Sequence, residues 1–383
     1  MRWLALFPTV VAFLVAGCAG PMDLQDNDLP VASPGAPSCG GSTVARGATA
    51  AKLSALSSAT HTSISRAMSL LYQGISQEDS TATALYVVKA DGTGRREIVH
   101  GFFDATDPVV SPDGKLVAFV ETPASLEHQR LVVADVDGSN QTTLYGSVGD
   151  HGYLNSLSWS PDGHRIAFLS DGALRVVDSA GKSLAKSIAE ISDQLADVWT
   201  NAVAWSPNGS SIAFLDGPPE GPSIVTIVRP DGSGRRDLVG TNGSFAWSRD
   251  GRSIAFTNRG ISVVSVNGGK LRHLVATPEG TGVDNLIWSS DGTQVIFQSG
   301  DLDVADLCIY SLDDGHVHRL ADCIPTNNAQ DLSPDGQEVA FVQSSYIPDC
   351  DHSQVHRIAL VPVSGGTVAN VADQGWSPQW LGG

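Results

Sequence analysis

A five-residue turn recurs along this chain and constrains its fold more than any other feature. Trp159-Ser160-Pro161-Asp162-Gly163 is followed by Ile166-Ala167-Phe168. The same pattern stands at Trp205-Ser206-Pro207-Asn208-Gly209 with Ile212-Ala213-Phe214, at Trp247-Ser248-Arg249-Asp250-Gly251 with Ile254-Ala255-Phe256, and at Trp288-Ser289-Ser290-Asp291-Gly292 with Val295-Ile296-Phe297. Two copies lack the Trp: Ser111-Pro112-Asp113-Gly114 with Val117-Ala118-Phe119, and Ser333-Pro334-Asp335-Gly336 with Val339-Ala340-Phe341. Measured from serine to serine, the copies are 41 to 49 residues apart, which is the period of a four-stranded propeller blade.

Each part of the motif has a physical reason. Pro presets φ for the first corner of a tight turn, Asp or Asn bonds back to nearby backbone, and Gly accepts a left-handed conformation. The motif is therefore a hairpin turn and not a catalytic centre. The Trp before it and the Ile-Ala-Phe after it belong to the two inner strands, whose large side chains fill the space between blades. A third strand, an Asp-Gly turn and a fourth strand follow, as in Leu131 to Val136, Asp137-Gly138 and Thr142 to Leu144.

Strand counting gives the ring size. Ser69 to Gln73, Ala84 to Lys89 and Arg96 to Val99 match the second, third and fourth strands of a blade that lacks its innermost strand. At the other end, Ser377-Pro378-Gln379-Trp380 matches the approach to an innermost strand. Joining the two ends predicts an all-β propeller of seven four-stranded blades, closed by one C-terminal and three N-terminal strands. A six-bladed ring with ragged ends is the alternative.

The repeat resembles that of the TolB-type, WD-repeat-like propeller family, over roughly residues 67–383. The resemblance implies the fold and, by analogy, a role in docking envelope proteins. The family's type member carries an α/β domain ahead of its propeller, for which the N-terminal stretch here leaves no room. The same repeats occur in propellers attached to serine peptidases, but no Gly-x-Ser-x-Gly elbow is present.

The N-terminus reads as an export signal. Arg2 supplies a positive start, Trp3 to Ala16 an apolar stretch short for a membrane span, and Val15-Ala16-Gly17 a small-residue approach to Cys18. This resembles a bacterial lipobox, which implies a cleaved signal peptide over 1–17, a lipid-modified Cys18 and contact with the bilayer through it. Ala19, where inner-membrane lipoproteins commonly have Asp, favours the outer membrane facing the periplasm in a Gram-negative cell. Residues 18–66, rich in Ala, Ser, Thr, Gly and Pro, read as a tether that buries too little apolar surface to offset ordering entropy. A short helix near Lys52 to Ser57 is expected within it.

With 23 Lys and Arg against 41 Asp and Glu, the formal charge of −18 argues against nucleic acid as a partner. His-x-x-x-His spacing occurs once, at His352 and His356, with no third ligand patterned beside it, and no nucleophile is matched with a base, so no catalytic residue, metal or cofactor is expected. Binding by the irregular loops on the face opposite the Ser-Pro-Asp-Gly turns is the preferred reading, with an envelope protein or a small ligand as partner. A metal-dependent small-molecule hydrolase with channel carboxylates is the alternative.

Two sets of residues are candidates on that face. Asn155, Asn201, Asp284 and Asn328 stand four residues before the inner-strand Trp or its equivalent, with Thr106 and Gly243 in that place elsewhere. They form either a functional ring at the channel mouth or a set of turn caps. Asp301, Asp303 and Asp306, placed in one loop, with Asp322, Asp349 and Asp351 nearby, form either an electrostatic docking sector or a solvated surface. Among the cysteines other than Cys18, Cys308 with Cys323 is the preferred disulfide, and Cys323 with Cys350 the alternative.

Overall fold

The computed structural model describes residues 68–77, 82–102, 108–122, 129–146, 154–191, 202–217, 222–277, 281–300, 304–325, 330–346 and 354–382. The expected signal peptide, Cys18, the tether and its short helix lie outside these. Among the described residues every regular element is a β-strand, and the strands form seven four-stranded antiparallel sheets.

The first blade holds β1 (Ser69–Ile75), β2 (Thr83–Lys89) and β3 (Arg96–Phe102). The second holds β4 (Val109–Val110), β5 (Leu116–Glu121), β6 (Arg130–Asp135) and β7 (Thr142–Gly146); the third β8 (Leu154–Trp159), β9 (Arg165–Ser170), β10 (Ala173–Asp178) and β11 (Lys186–Glu190). The fourth consists of β12 (Val203–Trp205), β13 (Ile212–Asp216), β14 (Ser223–Val228) and β15 (Arg236–Thr241); the fifth of β16 (Phe245–Trp247), β17 (Ser253–Thr257), β18 (Gly260–Ser265) and β19 (Arg272–Ala276). In the sixth are β20 (Gly282–Trp288), β21 (Gln294–Gly300), β22 (Val304–Ser311) and β23 (Val317–Pro325); in the seventh β24 (Asp331–Leu332), β25 (Glu338–Tyr346), β26 (Gln354–Pro362) and β27 (Ala369–Asp373). The last strand, β28 (Gly375–Trp380), pairs with β1 and completes the first blade in the order β28-β1-β2-β3. Seven blades and the shared closing blade are as the strand count predicts.

The repeated serine explains the turn. In all six copies its Oγ accepts the backbone N–H five residues on at 2.9 or 3.0 Å. The same hydroxyl donates to the Asp or Asn side chain two residues on at 2.5 to 2.9 Å. That bond is the main reason the carboxyls of Asp113, Asp162, Asp250 and Asp291 lie below the usual range. These serines are buried, so their polar atoms need these partners.

Register shows why the second strands look alike. Ile212 pairs with Trp205, Ile254 with Trp247 and Ile166 with Trp159, which puts the Phe two residues later at one level in each blade. Phe119, Phe168, Phe214, Phe256, Phe297 and Phe341 are all fully buried there, each stabilising by about 1.5–3 kcal/mol. In the closing blade Leu70 pairs with Trp380, so Tyr72 occupies the Phe level. The Tyr72 hydroxyl is enclosed and the Arg95 guanidinium lies over the ring at 5.9 Å; burial pushes its pKa up to about 12.

Innermost strands are also stitched blade to blade around the channel. The Trp159 indole donates to the Val109 carbonyl and the Trp247 indole to the Ala204 carbonyl, both at 3.0 Å. Trp205 donates its backbone N–H to Ser158 Oγ at 3.0 Å, and Leu286 to Ser244 Oγ at 3.1 Å. The C-terminal end seats tightly: a Cβ added at Gly114, where φ is +69°, would lie 2.5 Å from the backbone nitrogen of Gly382.

Candidate functional site at the channel mouth

Innermost strands run from the irregular face toward the Ser-Pro-Asp-Gly turns, so their first residues lie at the mouth of the channel. In three of them the ladder breaks in the same way. On β8 the pairing jumps from Asn155 with Leu169 to Ser158 with Ala167, one residue more on the inner strand than on its neighbour. On β20 it jumps from Asp284 with Gln298 to Ile287 with Ile296, and on β28 from Trp376 with Gln73 to Gln379 with Leu71. The residue after each anchor is left-handed: Ser156 at φ 54°, Asn285 at 53° and Ser377 at 50°. Such backbone in a non-glycine residue costs on the order of 1–3 kcal/mol and concentrates at ligand clamps, and a bulge re-aims the side chain beside it. The three bulges fall in the third, sixth and first blades, three, two and two steps apart around the ring.

Asn155 and Asp284 therefore belong to paired strand positions with a bulge, not to capped entry turns. Burial pushes the Asp284 carboxyl up to about 6, opposed only by the backbone N–H of Asn285. Gly243 of the fifth blade is the neighbour of Asp284 across the mouth: a Cβ built there would sit in ordinary contact with the Asp284 Oδ1, at 3.6 Å. Asn155 Oδ1 is buried and has no hydrogen-bond partner among the described residues. Trp376, partly exposed, packs its ring against His356 with centroids 5.8 Å apart, and burial lowers the imidazole's pKa toward the neutral form.

A closed amide network supports the mouth between the sixth and seventh blades. Asn285 Nδ2 donates to Gln298 Oε1 at 3.0 Å, Gln298 Nε2 to Gln330 Oε1 at 3.4 Å, and Gln330 Nε2 to the Asn285 carbonyl at 2.7 Å. Gln298 and Gln330 are buried, so the network fixes the strained Asn285 and with it Asp284. Trp376, Gln298 and Gln330 were absent from the sequence candidates. One signal was available: Trp376 precedes Trp380 by the same four residues that separate Asn155 from Trp159.

The other candidates divide. Asn201, Asn328, Thr106, Asp301, Asp303, Asp349 and Asp351 lie outside the described residues. Asp306 is not in a loop: it sits within β22, its side chain 15% exposed, with the Arg319 guanidinium 3.6 Å away, and burial holds its carboxyl above the usual range. Asp322 likewise lies within β23 and is exposed. Cys308 is in the middle of β22, buried and disulfide-bonded, and Cys323 is within β23 rather than beyond it. Among the described residues no three His, Cys, Asp or Glu side chains group to hold a metal ion.

At the channel ends of three inner strands stand an amide, a carboxyl and an aromatic side chain, residue types that suit a cation or a donor-rich polar group. Solved structures share the fold. A puromycin-hydrolysing peptidase of Mycobacterium tuberculosis is similar over 80% of this chain and 52% of its own, at 16% identity and a TM-score of 0.60. The periplasmic gluconolactonase of Pseudomonas aeruginosa is similar over 82% of this chain and 99% of its own, at 17% identity and 0.53. TolB from Acinetobacter baumannii is similar over 79% of both chains, at 17% identity and 0.48. In fold, the chain is a seven-bladed β-propeller. An uncharacterised protein of Agrobacterium fabrum is 33% identical over 91 residues, and the chain spans about a third (31%) of that relative's length. No family model matches the chain.

Proposed function

We propose that this chain is an envelope-anchored binding module that captures a cationic segment of another envelope protein at the irregular mouth of its propeller. The observation that supports this reading is the bulge shared by three inner strands, with Asn155, Asp284 and Trp376 each next to a left-handed residue near the channel mouth. A half-buried carboxylate there gains from meeting an ammonium or guanidinium group, because a charge-assisted bond replaces its lost hydration. The lipobox at Cys18 would hold the propeller at the membrane, and residues 18–66 would let it reach its partner.

The test is co-purification from solubilised envelopes. Wild-type protein should retain a discrete partner, and Asp284→Asn should weaken capture by about tenfold or more, the equivalent of a lost charged hydrogen bond. Equal capture by both would overturn the reading. In the same cells, Cys18→Ser should move the protein to the soluble fraction; a variant that stays with membranes through a high-salt wash would remove the anchor from the account.

A second reading has one observation in its favour. A carboxyl pushed up to about 6 suits general acid–base work near neutral pH, and the peptidase and gluconolactonase of similar fold are named as hydrolases. A metal-sensitive hydrolysis abolished by Asp284→Asn, without a co-purifying partner, would establish it instead.

A further inference from the structure

The acidity of the chain is uneven. From Arg165 to Arg272 lie 12 of its 23 Lys and Arg but only 10 of its 41 Asp and Glu, so this stretch is close to neutral in a protein of formal charge −18. Its third and fourth blades enclose a cleft of about 480 Å³ on the hairpin-turn face, lined by Arg165, Lys186, Ile188, Arg229, Pro230 and Asp231. From this geometry we infer that the cleft binds a phosphate monoester, a site separate from the channel mouth and independent of the function proposed there.

Three cations from three different hairpin segments meet in this cleft, with Asp231 in the lining and Asp162 beside Arg165 as the acids near them. Arg165 follows the Ser160 turn, and its guanidinium lies over the Trp205 ring of the next blade at 4.7 Å, which holds it in place. Its nearest acid, Asp162, is 3.9 Å away and is already bound to the Ser160 hydroxyl at 2.5 Å and the His164 N–H at 3.0 Å. Arg229 donates to the Ser233 hydroxyl at 3.3 Å, and neither it nor Lys186 makes an ion pair among the described residues. Asp231, the one acid in the lining, accepts the Ser233 N–H at 2.9 Å and so stabilises its own turn.

The ligand class follows from charge and shape. Two guanidinium forks suit oxygens held in a fixed geometry, and a third positive charge fits a group carrying about −1.5 to −2, the charge of a phosphate monoester near neutral pH. Ile188 and Pro230 supply an apolar wall for the organic part of the ester. Phosphate of this kind reaches an envelope protein either as a soluble ester or as an exposed lipid headgroup.

The experiment uses the purified protein at low ionic strength. Glycerol 3-phosphate, titrated calorimetrically against sodium chloride of matched ionic strength, should bind saturably with a Kd below about 1 mM. Arg229→Ser and Lys186→Ser should each weaken binding by about tenfold or more while keeping the wild-type melting temperature, and Arg252→Ser, on another blade of the same face, should leave it unchanged. Co-sedimentation with phosphatidic acid vesicles, lost in the same two variants, would name the headgroup as the source; titration without sedimentation would name the soluble ester. No binding to either probe beyond the salt control, or binding indifferent to both cleft substitutions, overturns the proposal.

Discussion

The backbone N–H of Trp380 donates to the Asp331 carboxylate at 2.7 Å, joining the closing strand to the innermost strand of the seventh blade. The other carboxylate oxygen of Asp331 accepts its neighbour Leu332's N–H at 2.9 Å. Where five blades have Trp, this blade has Leu332, so the contact that seals its side of the ring falls to the acid before it.

Asp331 makes the seal pH-dependent. By surface area the residue is only partly buried, yet the protein packed around its carboxyl pushes it up to about 7 from 3.8, a rise only partly offset by the two N–H bonds. A carboxyl raised in the folded state holds its proton more tightly there than in the unfolded chain. Its stabilising contribution is complete below pH 3.8 and is lost as pH rises through about 7. The full shift corresponds to about 4 kcal/mol, and water reaching the partly exposed residue reduces that to about 2 kcal/mol. Melting of wild type relative to Asp331→Asn, followed from pH 4.5 to 8, should therefore fall; a constant difference would show that Asp331 does not titrate in this window.

Ring closure has a second expected outcome. Deleting residues 375–383 removes β28, leaving β1 as an uncovered inner edge, and an uncovered edge invites pairing between chains. Light scattering should show self-association and calorimetry a lower melting temperature; a truncated chain that stays monomeric with unchanged melting would contradict closure by β28.

Much of this fold was legible because the blade is written six times: turn chemistry is local, and Ser, Pro, Asp and Gly report it directly. The closing blade was legible too, since Ser69 to Val99 and Trp380 are the two halves of one unit. The site was less so. Asn155 and Asp284 could be picked out by position, but the left-handed Ser156 and Ser377 carry no local signal for positive φ, and Asn285 only the general tolerance of Asn for it. Asp306 reads as a loop acid because its Arg319 partner is 13 residues on and becomes a neighbour only through strand pairing. The Asp331 contact spans 49 residues and the basic cleft joins two blades, relationships that a linear pattern does not display.

Cys308 bears on how the sixth blade is cross-linked. It is disulfide-bonded, and its Sγ leans toward the Asp306 carbonyl at 3.8 Å. Pairing of Ala305 with Ile324 and of Leu307 with Ala321 puts Asp306 level with the Asp322-Cys323 segment. Peptide mapping under non-reducing conditions should therefore recover Cys308 joined to Cys323, and reduction should cost about 2–4 kcal/mol of stability. Recovery of Cys308 joined to Cys350 or Cys39 would move the cross-link elsewhere.

The binding reading meets its most direct test in site-specific photo-crosslinking in intact cells, with a photoreactive residue placed at Asn155, at Trp376 or at Ser290 in a hairpin turn of the opposite face. Adducts to one and the same envelope protein are expected from 155 and 376, with none from 290, and their yield should fall when Asp284 is changed to Asn. Adducts from 290 alone, or equal yields from both faces, would contradict a partner seated at the channel mouth.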